Sequence, residues 1–182
     1  MTTKADYTAE EWEILRKGLV AGEEAVRAAS PSGWFGRFKE SRALKREWKG
    51  VLERHGDTAL AQDLIGAEGH APVESVKLEE GQAGPFIDAS VDACKAAAAL
   101  IAAKADPRDA EAYADVAIEL AETAALAHQE RGSDQQVATA EAIVLRRIAH
   151  AFGRTDYEPP TDADATSQAL FAQKASRNQN YE

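Results

Sequence analysis

The chain has 182 residues, of which 45% are hydrophobic and 29% charged, and its formal net charge at pH 7 is −10. This length and balance predict one compact domain and exclude a collagen-like or wholly disordered chain. The longest unbroken apolar run, residues 96–103, has eight members. A membrane-spanning helix needs about 20, so we expect no membrane association. The first dozen residues contain no apolar block, which predicts no secretory signal and a cytoplasmic protein.

Charge is distributed unevenly along the sequence. Residues 1–55 carry 11 basic and 9 acidic side chains, whereas residues 56–182 carry 10 basic and 22 acidic ones. Because the whole chain is acidic, we do not expect it to bind nucleic acid. Its single cysteine, Cys94, excludes an intrachain disulfide and any zinc site with several thiolate ligands.

The first third of the chain predicts three helices. Thr8 and Glu11 have the spacing of a capping box at the start of a helix over residues 8–29. Its inward stripe, with spacings of three and four, is Trp12, Leu15, Leu19, Gly22, Val26 and Ala29. A second helix is predicted over 34–55, with Phe35, Phe38, Trp48, Val51 and Leu52 inward. Asp57 is predicted to cap a short third helix over 58–67, which covers the core with Leu60, Leu64 and Ile65, before a loop over 68–84.

Three further helices are predicted over 85–105, 107–131 and 137–152. Asp106 and Pro107 suit the cap and first turn of the middle one, and Gly153 suits the end of the last. The predicted inward residues are Ile87, Val91, Cys94, Ala98, Ile101 and Ala105, then Tyr113, Ala117, Leu120, Ala124 and Ala127, then Ala140, Val144, Ile148 and Ala151. Only residues 73–78 have weak strand character. The sequence therefore predicts an all-α fold, a single bundle of five to six helices in residues 1–153, followed by a flexible tail over 154–182.

Acidic side chains share one face of the predicted helix over 107–131. They are Glu111, Asp115, Glu119 and Glu122, at spacings of four, four and three. Two interpretations are open: a site for a hard divalent cation, or a solvated acidic face. Asp88 and Asp92, one turn apart, allow the same two. Because no Glu-x-x-His pair or other metal motif occurs, we predict no resident metal and no cofactor.

No residue has the sequence context of a nucleophile. Cys94 lies on the apolar stripe, where burial makes a thiol unreactive, and we predict that it belongs to the core. His128 and His150 are predicted to be surface or capping residues near helix ends. Since Gly-x-Ser-x-Gly, Walker and Gly-x-Gly-x-x-Gly motifs are absent from the sequence, we predict that the protein is not an enzyme.

The most distinctive segment is residues 31–40. The turn at Ser32 and Gly33 opens a helix near Arg37 and Lys39, an arrangement that suits a small anion, although it equally suits a connector whose Trp34 and Phe35 plug the bundle end. A basic stripe follows at Arg42, Lys45, Arg46 and Lys49. This stripe is predicted to face acidic helices of the same chain or of a partner protein, in preference to nucleic acid.

The same region carries a family resemblance. Glu11-Trp12, then Ala28-Ala29-Ser30-Pro31-Ser32-Gly33, then Lys39-Glu40 resemble a group of small bacterial helical proteins that is distantly similar to the tellurite-resistance TerB-like domains. The pattern extends over about residues 8–153, and the specific motif over 28–40. The resemblance implies a compact all-α cytoplasmic domain in a stress or phage-defence system. TerB-like domains have glycine-rich Asp/Glu segments as a candidate metal site, and this chain has no segment that matches them.

We therefore expect a non-enzymatic helical protein that acts by binding a protein partner or a second copy of itself. The binding residues are predicted to be Ser32, Gly33, Arg37, Lys39, Arg42, Lys45, Arg46 and Lys49. The alternative is a stress protein of TerB-like type that binds a divalent metal or a small anion.

Overall fold

The structure, a computed structural model, describes residues 2–29, 50–51, 54–55, 58–66, 81–127 and 139–160. These residues form a 3-10 turn, Lys4–Asp6, and five α-helices. The helices are α1 (Ala9–Ala29), α2 (Ala59–Gly66), α3 (Ala83–Lys104), α4 (Pro107–Ala127) and α5 (Thr139–Ala151). The described ranges contain no strand, and the predicted all-α class is confirmed. Within the same ranges, no helix is both long enough and apolar enough to cross a bilayer.

Helix α1 begins at Ala9, one residue after the predicted start, and the predicted capping box at Thr8 is present. The Thr8 Oγ1 accepts a hydrogen bond from the Glu11 amide at 3.2 Å, and the Thr8 amide donates to Glu11 Oε2 at 2.8 Å. These reciprocal bonds satisfy two amides that have no intrahelical partner. The predicted stripe is buried from Trp12 to Val26, and Ala29 at the helix end is half-buried.

Helix α2 begins one residue later than predicted. Thr58, which was predicted as its first residue, is the cap instead, because its Oγ1 accepts from the Ala61 amide at 3.2 Å and its carbonyl accepts from Gln62 at 3.1 Å. A threonine hydroxyl caps nearly as well as a carboxylate, so adjacent Asp and Thr residues are hard to rank from sequence.

The predicted signals around α4 and α5 are confirmed. Asp106 Oδ1 accepts from the Asp109 amide at 3.1 Å, and Pro107 is the first residue of α4. At the end of α5, Gly153 has φ of 78°, a conformation that side chains disfavour. The Gly153 amide donates to the His150 carbonyl at 3.0 Å and the Arg154 amide to the Ala149 carbonyl at 2.9 Å. This pair of bonds is a Schellman motif.

Helix α1 is the centre of the bundle and packs against α3, α4 and α5. Two groups of buried side chains form the core. The first group contains Tyr7, Trp12, Leu15, Leu19, Val51, Leu60, Ala97, Ile101, Tyr113, Val116, Ala117 and Leu120. The second contains Ala21, Ala25, Val26, Val91, Cys94, Ala121, Ala124, Ala125, Val144, Leu145 and Ile148. Alanine and glycine at the crossing of α1 with α3 let the two backbones approach closely.

Two inward predictions are wrong in detail. Ala97 is fully buried, while the predicted Ala98 is only half-buried. Ala140 is exposed, because α5 begins at Thr139 and turns Glu141 and Val144 inward from its first turn.

Helix α3 begins at Ala83, two residues before the predicted Pro85. Proline is tolerated in the first turn, because the amides there have no intrahelical partner.

The described part of the predicted tail consists of residues 154–160. Residues 154–160 have no helix or strand, yet they lie against α4 and α5 with Tyr157 packed on the second core group. Several predictions fall outside the described residues. They concern most of the second helix (34–49 and 52–53), Asp57, the loop and strand-like segment (67–80), residues 128–138 with His128, residues 161–182, and the side chains of Ile65 and Ala127.

Candidate functional site

The eight residues predicted to bind a partner or an anion lie outside the described residues. They are Ser32, Gly33, Arg37, Lys39, Arg42, Lys45, Arg46 and Lys49. The same predicted helix is described at 50–51 and 54–55, where Val51 is buried as predicted and the side chains of Arg54 and His55 reach α4. The polar site that the structure shows is therefore the acidic face of α4.

We name this face the acidic row, which consists of Glu111, Asp115, Glu119 and Glu122. It lies on the side of α4 away from Tyr113, Ala117, Leu120 and Ala124, all of which are buried. Glu111 is exposed, whereas the other three are half-buried. The row is not a uniformly solvated face, because other parts of the chain cover most of it.

Glu119 has the largest number of polar contacts in the row. Its Oε1 accepts from Arg54 Nε at 2.9 Å and also from Arg54 Nη2, and its Oε2 lies 2.6 Å from His55 Nε2. Both carboxylate oxygens are thus paired with residues more than 60 positions earlier in the chain. This contact fixes the end of the predicted second helix on α4.

Asp115 and Glu122 are paired with the segment that follows α5. Arg154 Nη2 donates to Asp115 Oδ1 at 2.9 Å, and the Tyr157 hydroxyl donates to Glu122 Oε1 at 2.6 Å. Burial raises the pKa of Glu122 above its ordinary value, although the bond from Tyr157 acts in the opposite direction. Burial, and then the neighbouring Glu122 charge, raise the pKa of Tyr157.

These contacts bear on the two interpretations of the row. Glu119, Asp115 and Glu122 each accept hydrogen bonds from a different side chain, and a cation would have to displace those donors. In the described parts of the chain, no three His, Cys, Asp or Glu residues are placed to hold a metal ion. The carboxylates of the acidic row are placed to accept hydrogen bonds from guanidinium and hydroxyl groups.

The second acidic pair is separated by its partners. Asp88 accepts from Arg147 of α5 at 2.6 Å, whereas Asp92 pairs with Lys95 on its own helix at 2.9 Å. Because the two carboxylates have different partners, the structure does not bring them together as one site.

Cys94 is a core residue, as predicted. It is fully buried, and its thiol donates a weak hydrogen bond to the Gly18 carbonyl at 3.6 Å. Burial raises its pKa to about 12. His150 is exposed near the end of α5, with its ring 3.2 Å from the Thr155 carbonyl, which agrees with the predicted surface position.

A second polar cluster, around residue 2, was missed by the sequence analysis. The Thr2 amide donates to the buried carboxylate of Asp109 at 2.6 Å, and Thr2 Oγ1 accepts from the Asp106 amide at 3.1 Å. The Lys4 amide donates to Asp63 of α2 at 2.9 Å. These bonds attach the first residues to the start of α4 and to α2. Spacing could not indicate them, because the partners are up to 107 residues apart.

Aromatic rings and lysines surround this cluster. The rings of Tyr7 and Trp12 are 6.1 Å apart; Lys4 lies over Trp12 and Lys104 over Tyr7, each at 5.4 Å. The Tyr7 hydroxyl and the Trp12 indole N–H are buried and have no hydrogen-bond partner among the described residues. Burial raises the pKa of Tyr7 to about 12, with Asp109 the largest charge contribution.

An apolar cavity of about 250 Å³, which includes the open space at its mouth, lies between α1, α2 and α4. It is lined by Leu19, Leu60, Ala61, Leu64, Asp109, Tyr113 and Val116. Only Asp109 adds a charged group to this lining, and its carboxylate already accepts from Thr2.

No known family model, curated protein or solved structure matches the chain. The similarity to TerB-like domains therefore stays a prediction from sequence.

Proposed function

We propose that the protein is a non-enzymatic helical binding protein that recognises a protein partner, or a second copy of itself, through surfaces of opposite charge. The basic surface is the predicted stripe Arg42, Lys45, Arg46 and Lys49, and the acidic surface is the exposed carboxylates of α3 and α4. The resemblance noted above supports a place for this binding in a bacterial stress response. The observation that carries the proposal is the pairing of Arg54 and His55 with Glu119.

This pairing supports charge complementarity between the predicted second helix and the acidic row. Residues 34–54 hold seven basic and three acidic side chains, and Arg54 is the member whose acidic partner is described. The Arg54 side chain is 58% exposed, and such pairs contribute about 0.2–1 kcal/mol each. Ion pairs of this strength add little to the affinity for a partner protein. They mainly orient the partner and raise its association rate.

The acidic surface is accessible. The side chains of Asp92 and Asp88 are 71% and 65% exposed, and Glu111 is also exposed. Asp92 and Asp88 form exposed ion pairs with Lys95 and Arg147 of the same chain. A cationic side chain of another protein can replace Lys95 or Arg147 at little cost, because exposed ion pairs are weak. A partner with a basic surface therefore has several acceptors available.

Sedimentation velocity tests the version with a second copy. We expect an association that weakens between 20 and 500 mM NaCl, since salt screens exposed charges. K45E/K49E should abolish it, whereas the control R16E/K17E, which reverses two basic residues of α1 outside both surfaces, should not. A monomer at every concentration and salt would refute self-association.

Affinity capture with quantitative mass spectrometry tests the version with another protein. Wild type, K45E/K49E and R16E/K17E are used as parallel baits, and circular dichroism confirms that all three are folded. We expect proteins that wild type and the control retain and K45E/K49E loses. If the three baits retain the same proteins, the basic stripe does not bind a partner.

A further inference from the structure

Residues 154–160, which we name the strap, contact α4 and α5 mainly through side chains, beyond the backbone bond that ends α5 at Arg154 and the contact of the Thr155 carbonyl with His150. The strap leaves the end of α5 at Gly153, whose positive φ redirects the chain. It has no helix or strand and turns at Thr155 and Asp156, so it contacts the bundle as a short irregular peptide segment. Its sequence is Arg-Thr-Asp-Tyr-Glu-Pro-Pro.

Three strap side chains are recognised in order. Arg154 donates to Asp115 at 2.9 Å, Tyr157 donates to Glu122 at 2.6 Å, and Glu158 accepts from Arg146 of α5 at 3.0 Å. The receiving groups are therefore an acid, an acid and a base, on two neighbouring helices. A segment with a cation, a hydroxyl donor and an anion at the same spacing satisfies all three, whereas a reversed order places like charges together.

The central contact also has an apolar part. The Tyr157 ring is half-buried against the second core group, which includes Ala121, Ala125 and Leu145. Tyrosine suits such a position, because its ring removes apolar surface from water while its hydroxyl keeps a polar partner. The flanking ion pairs are exposed, with the Glu158 side chain 81% and the Asp115 side chain 46% accessible, and contribute little. The strap is therefore held mainly at one residue, and its release leaves the helices packed.

We propose that the face of α4 and α5 beneath the strap is a docking site for a short peptide segment without helix or strand, and that the strap occupies this site in cis. The segment carries an arginine or lysine, a tyrosine three residues later, and an acid directly after the tyrosine. A partner protein that presents this pattern displaces the strap. This proposal does not depend on the basic stripe, and each of the two can fail without the other.

A peptide in trans tests the proposal. The probe is a synthetic peptide of residues 153–160, titrated into ¹⁵N-labelled full-length R154A/Y157A, in which the strap is weakened. A strap attached to the chain acts at an effective concentration of about millimolar order. In the structure the strap is bound to α4 and α5, so its dissociation constant for this face cannot exceed the effective concentration. The free peptide should therefore bind with a dissociation constant of about 1 mM or tighter. We expect shifts of amide signals of α4 and α5 around residues 115, 122 and 146.

Wild type and altered peptides provide the controls. Wild type should bind the probe at least about two-fold more weakly, since its own strap competes at an effective concentration equal to or above that dissociation constant. A peptide with glutamate at the position of Arg154 and alanine at that of Tyr157 should not bind R154A/Y157A. No shifts with several millimolar probe, or equal affinity for the two proteins, would overturn the proposal. If R154A/Y157A does not fold, Y157F replaces it, because phenylalanine keeps the ring and removes only the hydroxyl.

Discussion

The crossing of α1 with α3 and α4 leaves no room for a side chain at Gly18. A Cβ atom there would lie 2.3 Å from the Cβ of Ala97 and 2.8 Å from the hydroxyl oxygen of Tyr113. Gly18→Ala is therefore expected to destabilise the fold, although alanine is the better helix former. The neighbouring atoms cannot retreat freely, because Ala97 and Tyr113 are themselves buried.

The magnitude follows from three contributions. Non-bonded carbon atoms pack best at about 3.5–4.0 Å, so α1 and α3 must separate by about 1.2 Å or more, and such overpacking costs about 1–3 kcal/mol. The Tyr113 hydroxyl, which donates to the Leu15 carbonyl at 2.6 Å, must also move. A buried donor that loses its partner costs about 1–3 kcal/mol. The helix propensity of alanine offsets about 1 kcal/mol, which leaves a net loss of about 3 kcal/mol.

Gly22, one turn later on α1, is the matched control. A Cβ there would lie 3.4 Å from Ile148 and 3.5 Å from Ala121, close to ordinary contact distances. Gly22→Ala should therefore be neutral or stabilise by up to about 1 kcal/mol. Urea unfolding followed by circular dichroism at 222 nm measures both variants. Equal stability of Gly18→Ala and Gly22→Ala would refute the close packing at Gly18.

Three further measurements test the polar and apolar interior. Burial raises the pKa of Glu122 above its ordinary value. The folded state therefore loses stability as the pH rises from the ordinary pKa through the raised one. Glu122→Gln, which keeps an acceptor for Tyr157, should raise the free energy of unfolding at pH 8 but not near pH 4; a gain independent of pH would contradict this. The Cys94 thiol, with a pKa of about 12, should react with a disulfide reagent at pH 8 only in urea, and rapid native labelling would show that it is accessible. Trp12→Ala and Ile101→Ala, both at buried positions, should each cost about 2–5 kcal/mol by urea unfolding, and losses near zero would place them on the surface.

The helices could be predicted because their signals are local. The capping box at Thr8, the Asp106 cap and the terminal Gly153 each involve bonds within five residues, and all three are present. The inward stripe of α1 follows from its spacing. Spacing fails where residues are alike: in the run of alanines over 96–99, periodicity cannot determine whether Ala97 or Ala98 is buried. The structure decides for Ala97, because it lies opposite Gly18.

The acidic row could be predicted as a face but not as a set of contacts. Its spacing places the four carboxylates together, whereas their partners lie 35–65 residues away and follow no period. Tyr157 is a single aromatic in a polar segment next to two prolines, a composition that predicts disorder. One side chain with an apolar ring and a hydroxyl donor is enough to hold that segment on α4 and α5. The average composition of the seven residues does not reveal this single contact.

Helix α4 therefore has two different faces. Its inner face is apolar and packs against α1, which determines the fold. Its outer face is acidic and receives the segments before α2 and after α5 through Glu119, Asp115 and Glu122. Because the inner contacts are apolar and the outer ones are half-exposed hydrogen bonds and ion pairs, we expect the outer segments to open at a lower free energy than the helices unfold. In the structure these carboxylates hold the chain's own basic and hydroxyl groups, and the proposed peptide site consists of two of them, Asp115 and Glu122, with Arg146.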